Sequence, residues 1–191
     1  TTPTNIDRTN LNSLSLIDFL GFTYFPNGIV KEEFPLKDLL VNVFNIPYQD
    51  WKQAKTGWQG YSSRVILDGY GLVAYGGASQ KGSIHVELSG AGCAQVKDWL
   101  LVHDWFVTTD SRITRIDLAH DDFSGETISV ERAIGWYEQG LFSSRGRPPS
   151  RHLRDDFDSG EGKTLYVGKR GNDKFTRIYE KGKKAGDINS P

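Results

Sequence analysis

The sequence predicts an α+β domain: a mainly antiparallel sheet with helices packed on one face and the active site on the other. Three observations carry this. Period-2 alternation of apolar residues recurs at 61–67, 71–76, 83–88, 112–121, 164–167 and 175–181. Gly- and Asp-containing turns join several of these runs closely enough for antiparallel neighbours. Helix-spaced apolar positions occur at only a few places between them, giving the order three-strand meander, helix, strand, helix, two strands. The length of 191 residues suits one domain, 1–191, with a substantial core.

Residues 14–25 (LSLIDFLGFTYF) predict a first strand, ended by Pro26-Asn27-Gly28. A short helix follows at 35–44, with Leu36, Leu39, Leu40 and Val43 at helical spacing. In the meander, 61–67 meets 71–76 across Asp68-Gly69-Tyr70, and 83–88 pairs next. Gly90-Ala91-Gly92 breaks that strand. Residues 93–105 form an amphipathic helix with Val96, Trp99, Leu100 and Val102 on one side. Residues 112–121 (RITRIDLAHD) alternate as a strand, and Ser129 caps a helix to about 139, ended by Gly140. Residues 142–162 are polar, rich in Arg, Ser, Pro, Gly and Asp, and predict a long basic loop. A hairpin closes the chain, its strands 164–167 and 175–181 flanking a Gly-Lys-Arg-Gly-Asn-Asp turn.

Charge separates the function classes. The formal net charge is −1, which excludes a polycation that coats nucleic acid without specificity. The distribution is uneven: Lys163, Lys169, Arg170, Lys174, Arg177, Lys181, Lys183 and Lys184 stand against only Asp173 and Glu180 between 163 and 184. Arg145, Arg147, Arg151 and Arg154 add a second basic run. This half is the expected face for an anionic partner. The single cysteine, Cys93, excludes an internal disulfide and points to the cytoplasm. Its place after Gly90-Ala91-Gly92, at a helix start, favours a lowered thiol pKa, but no base accompanies it, and a small buried role is expected. No apolar run reaches the roughly 18 residues of a membrane span. The chain has no Met, begins Thr-Thr-Pro and stops at Asn-Ser-Pro, and is expected to be part of a longer protein.

Strand parity sorts the candidate site. His85 and Glu87 oppose Ile84, Val86 and Leu88; Arg115, Asp117, Ala119 and Asp121 oppose Ile116 and Leu118; Tyr166, Arg177, Tyr179 and Lys181 oppose Leu165, Val167 and Ile178. Four strands thus offer one polar face. A solvated face of an open antiparallel sheet also alternates. The residue types argue for more: an imidazole and two carboxylates are ligands for a hard or borderline divalent ion, so Glu87, Asp117 and His85 form the candidate metal set, with Mg2+ or Mn2+ the best fit. A phenol flanked by cations can attack a phosphodiester, and a metal beside the phosphate would assist, because phenolate is scarce at neutral pH. Tyr179, between Arg177 and Lys181, is the first candidate nucleophile and Tyr166 the alternative. Glu180 shares the parity of Ile178 and points away unless the strand bulges; Asp121 and Asp122 serve as an outer shell or a strand-end turn. Lys169, Arg170, Lys174, Arg115, Lys183 and Lys184 suit phosphate contacts. Trp51, Trp58 and Tyr61 stack on unpaired bases or fill the core and its rim. Gly162-Lys163-Thr164 mimics the end of a phosphate-binding loop, but residue 157 is Phe and a strand follows, which excludes nucleotide hydrolysis.

Three blocks, SIHVELSGAGC from Ser83, TRIDLAHDD from Thr114, and the pair TLYVGKRGND and FTRIYEKGK from Thr164, carry a resemblance to the replication initiation factor family. These are rolling-circle initiators of plasmids and phages, related to relaxases of some conjugative elements. The resemblance runs from about 14 to 184, in family order. It implies a metal-dependent endonuclease in which a tyrosine cuts one strand at an origin, stays linked to the 5′ phosphate and leaves a 3′-OH for polymerase. The implied partner is single-stranded or extruded origin DNA, with a host helicase and polymerase alongside. Family members continue into a further strand after the RIYEK block, and this chain ends before one. Two rival expectations stand beside a rolling-circle nickase: a conjugative relaxase with the same chemistry, and a noncatalytic DNA-binding module that uses the basic hairpin.

Overall fold

The computed structural model describes residues 13–26, 36–49, 51–123, 125–143, 146–155, 157, 159–172 and 174–184. Asn27, Gly28, Pro35, Arg145 and Asp173, given turn, helix or charge roles above, lie outside the described residues, as does the Lys184 side chain. The chain divides into two compact units, one of residues 15–120 and one of the described remainder.

The first unit is built on a six-stranded sheet of order β2-β3-β4-β5-β1-β6. Its strands are β1 (Ser13–Tyr24), β2 (Lys52–Gln53), β3 (Ser63–Ile66), β4 (Gly71–Tyr75), β5 (Ile84–Leu88) and β6 (Ser111–Asp122). β1 runs antiparallel to β5, with Leu20 opposite Leu88, Phe22 opposite Val86 and Thr23 opposite His85. Parity sends Leu20, Phe22, Val86 and Leu88 into one core with Val65 and Val73. The helices α1 (Lys37–Asn42) and α3 (Trp99–Thr108) contribute Leu40 and Val102 to it. Phe22 stacks on Phe44 at 5.5 Å and meets Phe106 edge-on at 5.1 Å, so aromatic packing adds to area burial.

The second unit pairs one helix with a three-stranded antiparallel sheet. Here α4 (Val130–Glu138) packs on β7 (Arg151–Arg154), β8 (Thr164–Val167) and β9 (Thr176–Tyr179), in the order β7-β8-β9. The helix starts where expected, because the Ser129 hydroxyl accepts from the Arg132 amide. Val130 and Ala133 meet Leu165 and Val167, with Ile134, Trp136 and Ile178 packed around them.

The α+β class and the antiparallel pairing are as expected; four details differ. Residues 93–105 are not one helix. A four-residue turn, α2 (Gly90–Cys93), ends before α3, and Asp98 starts α3 by accepting from the Leu100 and Leu101 amides. Leu100 is consequently exposed, while Val96 and Val102 are buried. Ile116 and Leu118 form no buried row, being 46 % and 75 % exposed, because β6 is the last strand in its sheet. Part of the 142–162 loop is strand β7, whose four exposed side chains leave no apolar alternation to detect. Finally, the four strands of the expected polar face belong to two sheets, β5 and β6 to one, β8 and β9 to the other.

Candidate active site

The metal-ligand candidates lie on the wet face of the six-stranded sheet. Cross-strand pairing sets His85 against Thr23 and Glu87 against Gly21, on the side away from the Phe22 and Val86 core. The imidazole is 8 % exposed and held on both nitrogens: Nδ1 is 3.2 Å from Thr23 Oγ1 and Nε2 is 3.3 Å from Glu87 Oε1. Because a carboxylate only accepts, Nε2–H donates to Glu87 and Nδ1 accepts from the Thr23 hydroxyl. Glu87 Oε1 also accepts from Trp58 Nε1 at 3.3 Å. Tyr61 lies nearly parallel over His85, 6.1 Å between centroids, and its hydroxyl meets Ser83 Oγ at 3.0 Å.

A tight turn brings these two aromatics to the site. Gln59 and Gly60 both take positive φ, 45° and 88°, and Trp58 and Tyr61 exchange backbone hydrogen bonds across them. That is a hairpin turn with both central residues left-handed, which glycine at the second position favours. Gly57 is needed just before it, since a methyl group there would run into the Tyr61 carbonyl.

Asp117 is differently placed. Arg115 Nε donates to its Oδ1 at 2.8 Å, and the second guanidinium nitrogen donates to Oδ2. This pairing, helped by the field of Glu87, raises the Arg115 pKa above its usual range. The Arg115 guanidinium also lies 4.3 Å over the Phe19 ring. The donor chemistry of His85 and Glu87 fits a divalent ion, with Thr23 and Trp58 as the outer partners that fix ligand orientation. Asp117 is taken by Arg115, and among the described residues no three of His, Cys, Asp and Glu gather as a ligand set.

The tyrosine candidates lie on the wet face of the three-stranded sheet. Tyr166 is opposite His152 on β7 and Arg177 on β9; Thr164 is opposite Tyr179. The Arg177 guanidinium sits 4.3 Å from the Tyr179 ring centroid and 5.9 Å from that of Tyr166. Lys181 is not on this face by strand parity. It opens the short helix α5 (Lys181–Lys184) and pairs with Asp121 at 2.8 Å. Glu180 points away as parity requires, accepting from the Lys163 amide at 2.7 Å and pairing with Lys183 at 2.9 Å. Asp122 organises the strand-end turn through the Gly125, Thr127 and Ile128 amides.

Two groups of cations stand out in this unit. Arg151, Arg154, Lys163, Lys181 and Lys183 are paired with Glu138, Glu161, Glu131, Asp121 and Glu180. Lys169, Arg170, Lys174 and Arg177 are exposed, and among the described residues no carboxylate pairs with them. Of the expected phosphate contacts, the hairpin-tip residues Lys169, Arg170 and Lys174 therefore remain available, whereas Arg115 and Lys183 are engaged internally. Cys93 is buried at the end of α2, and burial pushes its thiol up to about 11. The lowered pKa expected of a helix start does not apply, because Cys93 closes its turn. Trp51 is core.

Thr23 and His152 escaped the sequence reading, as did the contact of Trp58 with Glu87. Thr23 follows from the parity of the first strand, since Leu20 and Phe22 face the core. Trp58 beside Glu87 is signalled only by the Trp-Gln-Gly-Tyr turn. His152 is hidden in a strand with no buried residue.

Residues 111–190 match the replication initiation factor family, which places the RIDLAHDD and hairpin blocks within that family's signature. A Bacillus subtilis (strain 168) protein assigned as the DNA relaxase NicK is 23% identical over 178 residues, covering 88% of this chain and 48% of the relative. The chain thus spans about half the length of the curated relative it matches. The solved structure of the rolling circle replication initiator protein from Geobacillus stearothermophilus superposes with a TM-score of 0.67 at 26% identity, over 91% of this chain and 69% of that one. The resemblance to this family is borne out, the match at 111–190 taking in the second and third of the three blocks. No helix among the described residues is long and apolar enough to cross a membrane.

Proposed function

We propose that this chain carries the nicking-joining activity of a rolling-circle replication initiator, acting on single-stranded or extruded origin DNA. The observation that carries this is the wet face of the three-stranded sheet, where Tyr179 and Tyr166 stand beside Arg177 and the hairpin cations Lys169, Arg170 and Lys174 have no carboxylate partner among the described residues. Paired cations elsewhere in the unit hold the fold; open ones suit a phosphate chain.

Tyr179 is the nucleophile in this reading. Its phenolic oxygen bonds to phosphorus as the bond from phosphorus to the 3′ oxygen breaks. The phenol loses its proton and the departing 3′ oxygen gains one, leaving a 5′-phosphotyrosyl link and a free 3′-OH. Arg177 offsets charge on the phosphate oxygens. Rejoining is the same exchange in reverse. His85 and Glu87 would hold a divalent ion, Mg2+ or Mn2+, with Asp117 joining only if Arg115 releases it. The chemistry such an ion would supply when bound is Lewis-acid polarisation of a phosphate oxygen. The 3′-OH would then serve a host polymerase, with a host helicase opening the duplex. The relative assigned as a DNA relaxase supports a second setting, conjugative transfer, in which the same cut is made.

A supercoiled plasmid bearing the cognate origin tests this. The expected result is an open-circular product and a protein–DNA adduct with Mg2+ or Mn2+, both lost in Tyr179→Phe. If Tyr179→Phe and Tyr166→Phe each retain nicking and adduct, the tyrosine mechanism is wrong. Retained DNA affinity with no nicking by the wild-type chain under any divalent ion would indicate a binding module instead.

A further inference from the structure

The wet face of the three-stranded sheet carries a feature that nicking chemistry leaves unused: a row of three near-parallel rings. His152 and Tyr166, cross-strand partners on β7 and β8, stack at 6.0 Å with 28° between planes. Tyr166 and Phe175, which precedes β9, stack at 5.9 Å and 22°. None of the three belongs to the core, which lies on the opposite face around Leu165, Val167 and Val130. His152 is exposed, Tyr166 half-buried, and Phe175 38 % exposed.

We propose that His152, Tyr166 and Phe175 form a stacking site for unpaired nucleobases, and that Tyr166 serves as a base-binding residue, leaving the nucleophile role to Tyr179. The inference rests on the nicking reading above for its substrate and adds the contact that distinguishes single strands from duplex. Three arguments support it. Aromatic rings on a sheet surface offer every base a π-face without regard to sequence, whereas in a duplex those faces are hidden. The rings share their face with Arg177, and the hairpin tip adjoining Phe175 bears Lys169, Arg170 and Lys174, so a backbone following the cations would carry its bases past the row. Tyr166 is held between two rings, an arrangement suited to stacking, whereas Tyr179 has the Arg177 guanidinium 4.3 Å from its ring centroid, an arrangement suited to phosphate.

The test compares the whole chain on two single-stranded oligonucleotides of equal length, one with bases and one abasic throughout. Wild type is expected to prefer the base-bearing strand by at least tenfold, about what one stacked base provides. Tyr166→Ala and His152→Ala should each lower affinity for the base-bearing strand by roughly tenfold and leave the abasic strand unaffected. Tyr166→Phe, which keeps the ring, should restore the preference. Because His152 lies exposed on an edge strand, its substitution reads the site even where Tyr166→Ala perturbs folding. Equal wild-type affinity for the two strands, or parallel losses on both in the variants, would overturn the stacking site. The contrast decides the matter whether or not the preparation nicks, so the stacking site and the nicking reading fail separately.

Discussion

On the six-stranded sheet, the candidate ligands are each held by a neighbour: His85 by Thr23 and Glu87, Glu87 by Trp58, Asp117 by Arg115. On the three-stranded sheet, Arg177 lies against rings, and the tip cations have no carboxylate partner among the described residues. On the proposed reading, the difference matches what each face would hold. A small ion needs ligands fixed in advance, because orienting them on binding costs affinity. A flexible phosphate chain needs charge density and rings more than fixed geometry. The first face is closed by its own hydrogen bonds; the second, on the proposed reading, would be completed by a nucleic acid.

The comparison can be broken most forcefully at the turn that closes the first face. Gly57→Ala should destabilise the chain by about 3 kcal/mol, because the Trp58–Tyr61 turn must open to relieve a backbone clash; urea unfolding measures it. On the second face, replacing Lys169, Arg170 and Lys174 together with Gln should lower the slope of log affinity against log salt by about two for single-stranded DNA. The matching triple at Arg154, Lys163 and Lys183, already paired with Glu161, Glu131 and Glu180, should change that slope by less than half as much. Equal slopes would erase the distinction between open and engaged cations.

Smaller effects sharpen the same contrast. Trp58→Phe removes the donor to Glu87, and Mn2+ binding followed by calorimetry should weaken by about tenfold, the scale of an outer-partner loss. Ser129→Ala should cost about 1 kcal/mol at the start of α4, with the salt slope unmoved. The Cys93 thiol, held at about 11 against 9.0 unperturbed, keeps its proton longer in the fold than in the unfolded chain. Stability from this group is therefore full below pH 9 and declines as pH rises through 9 toward 11, and thiol alkylation at pH 8 should occur only on unfolding.

Much of this was legible in the sequence, for identifiable reasons. The pairing of Thr164–Val167 with Thr176–Tyr179 follows from strict alternation and a Gly-containing turn, and the parity of His85 and Glu87 follows from three flanking aliphatics. Ser129 and Gly140 marked the ends of α4 through capping chemistry alone. What was hidden depended on edges and tertiary choices. β7 has four exposed residues and no pattern to announce it. Lys181 continued the alternation of β9 on paper, yet the chain turns into α5 there and the ammonium pairs with Asp121. The Arg115–Asp117 pair was visible as spacing, but i and i+2 on one strand face can bond each other as readily as they can share a ligand.

The most direct test of the account is to digest the protein–DNA adduct and identify the linked peptide by mass spectrometry. The account predicts DNA attached at Tyr179, in the peptide following Arg177. Attachment at Tyr166, or at any residue outside the three-stranded sheet, would contradict it.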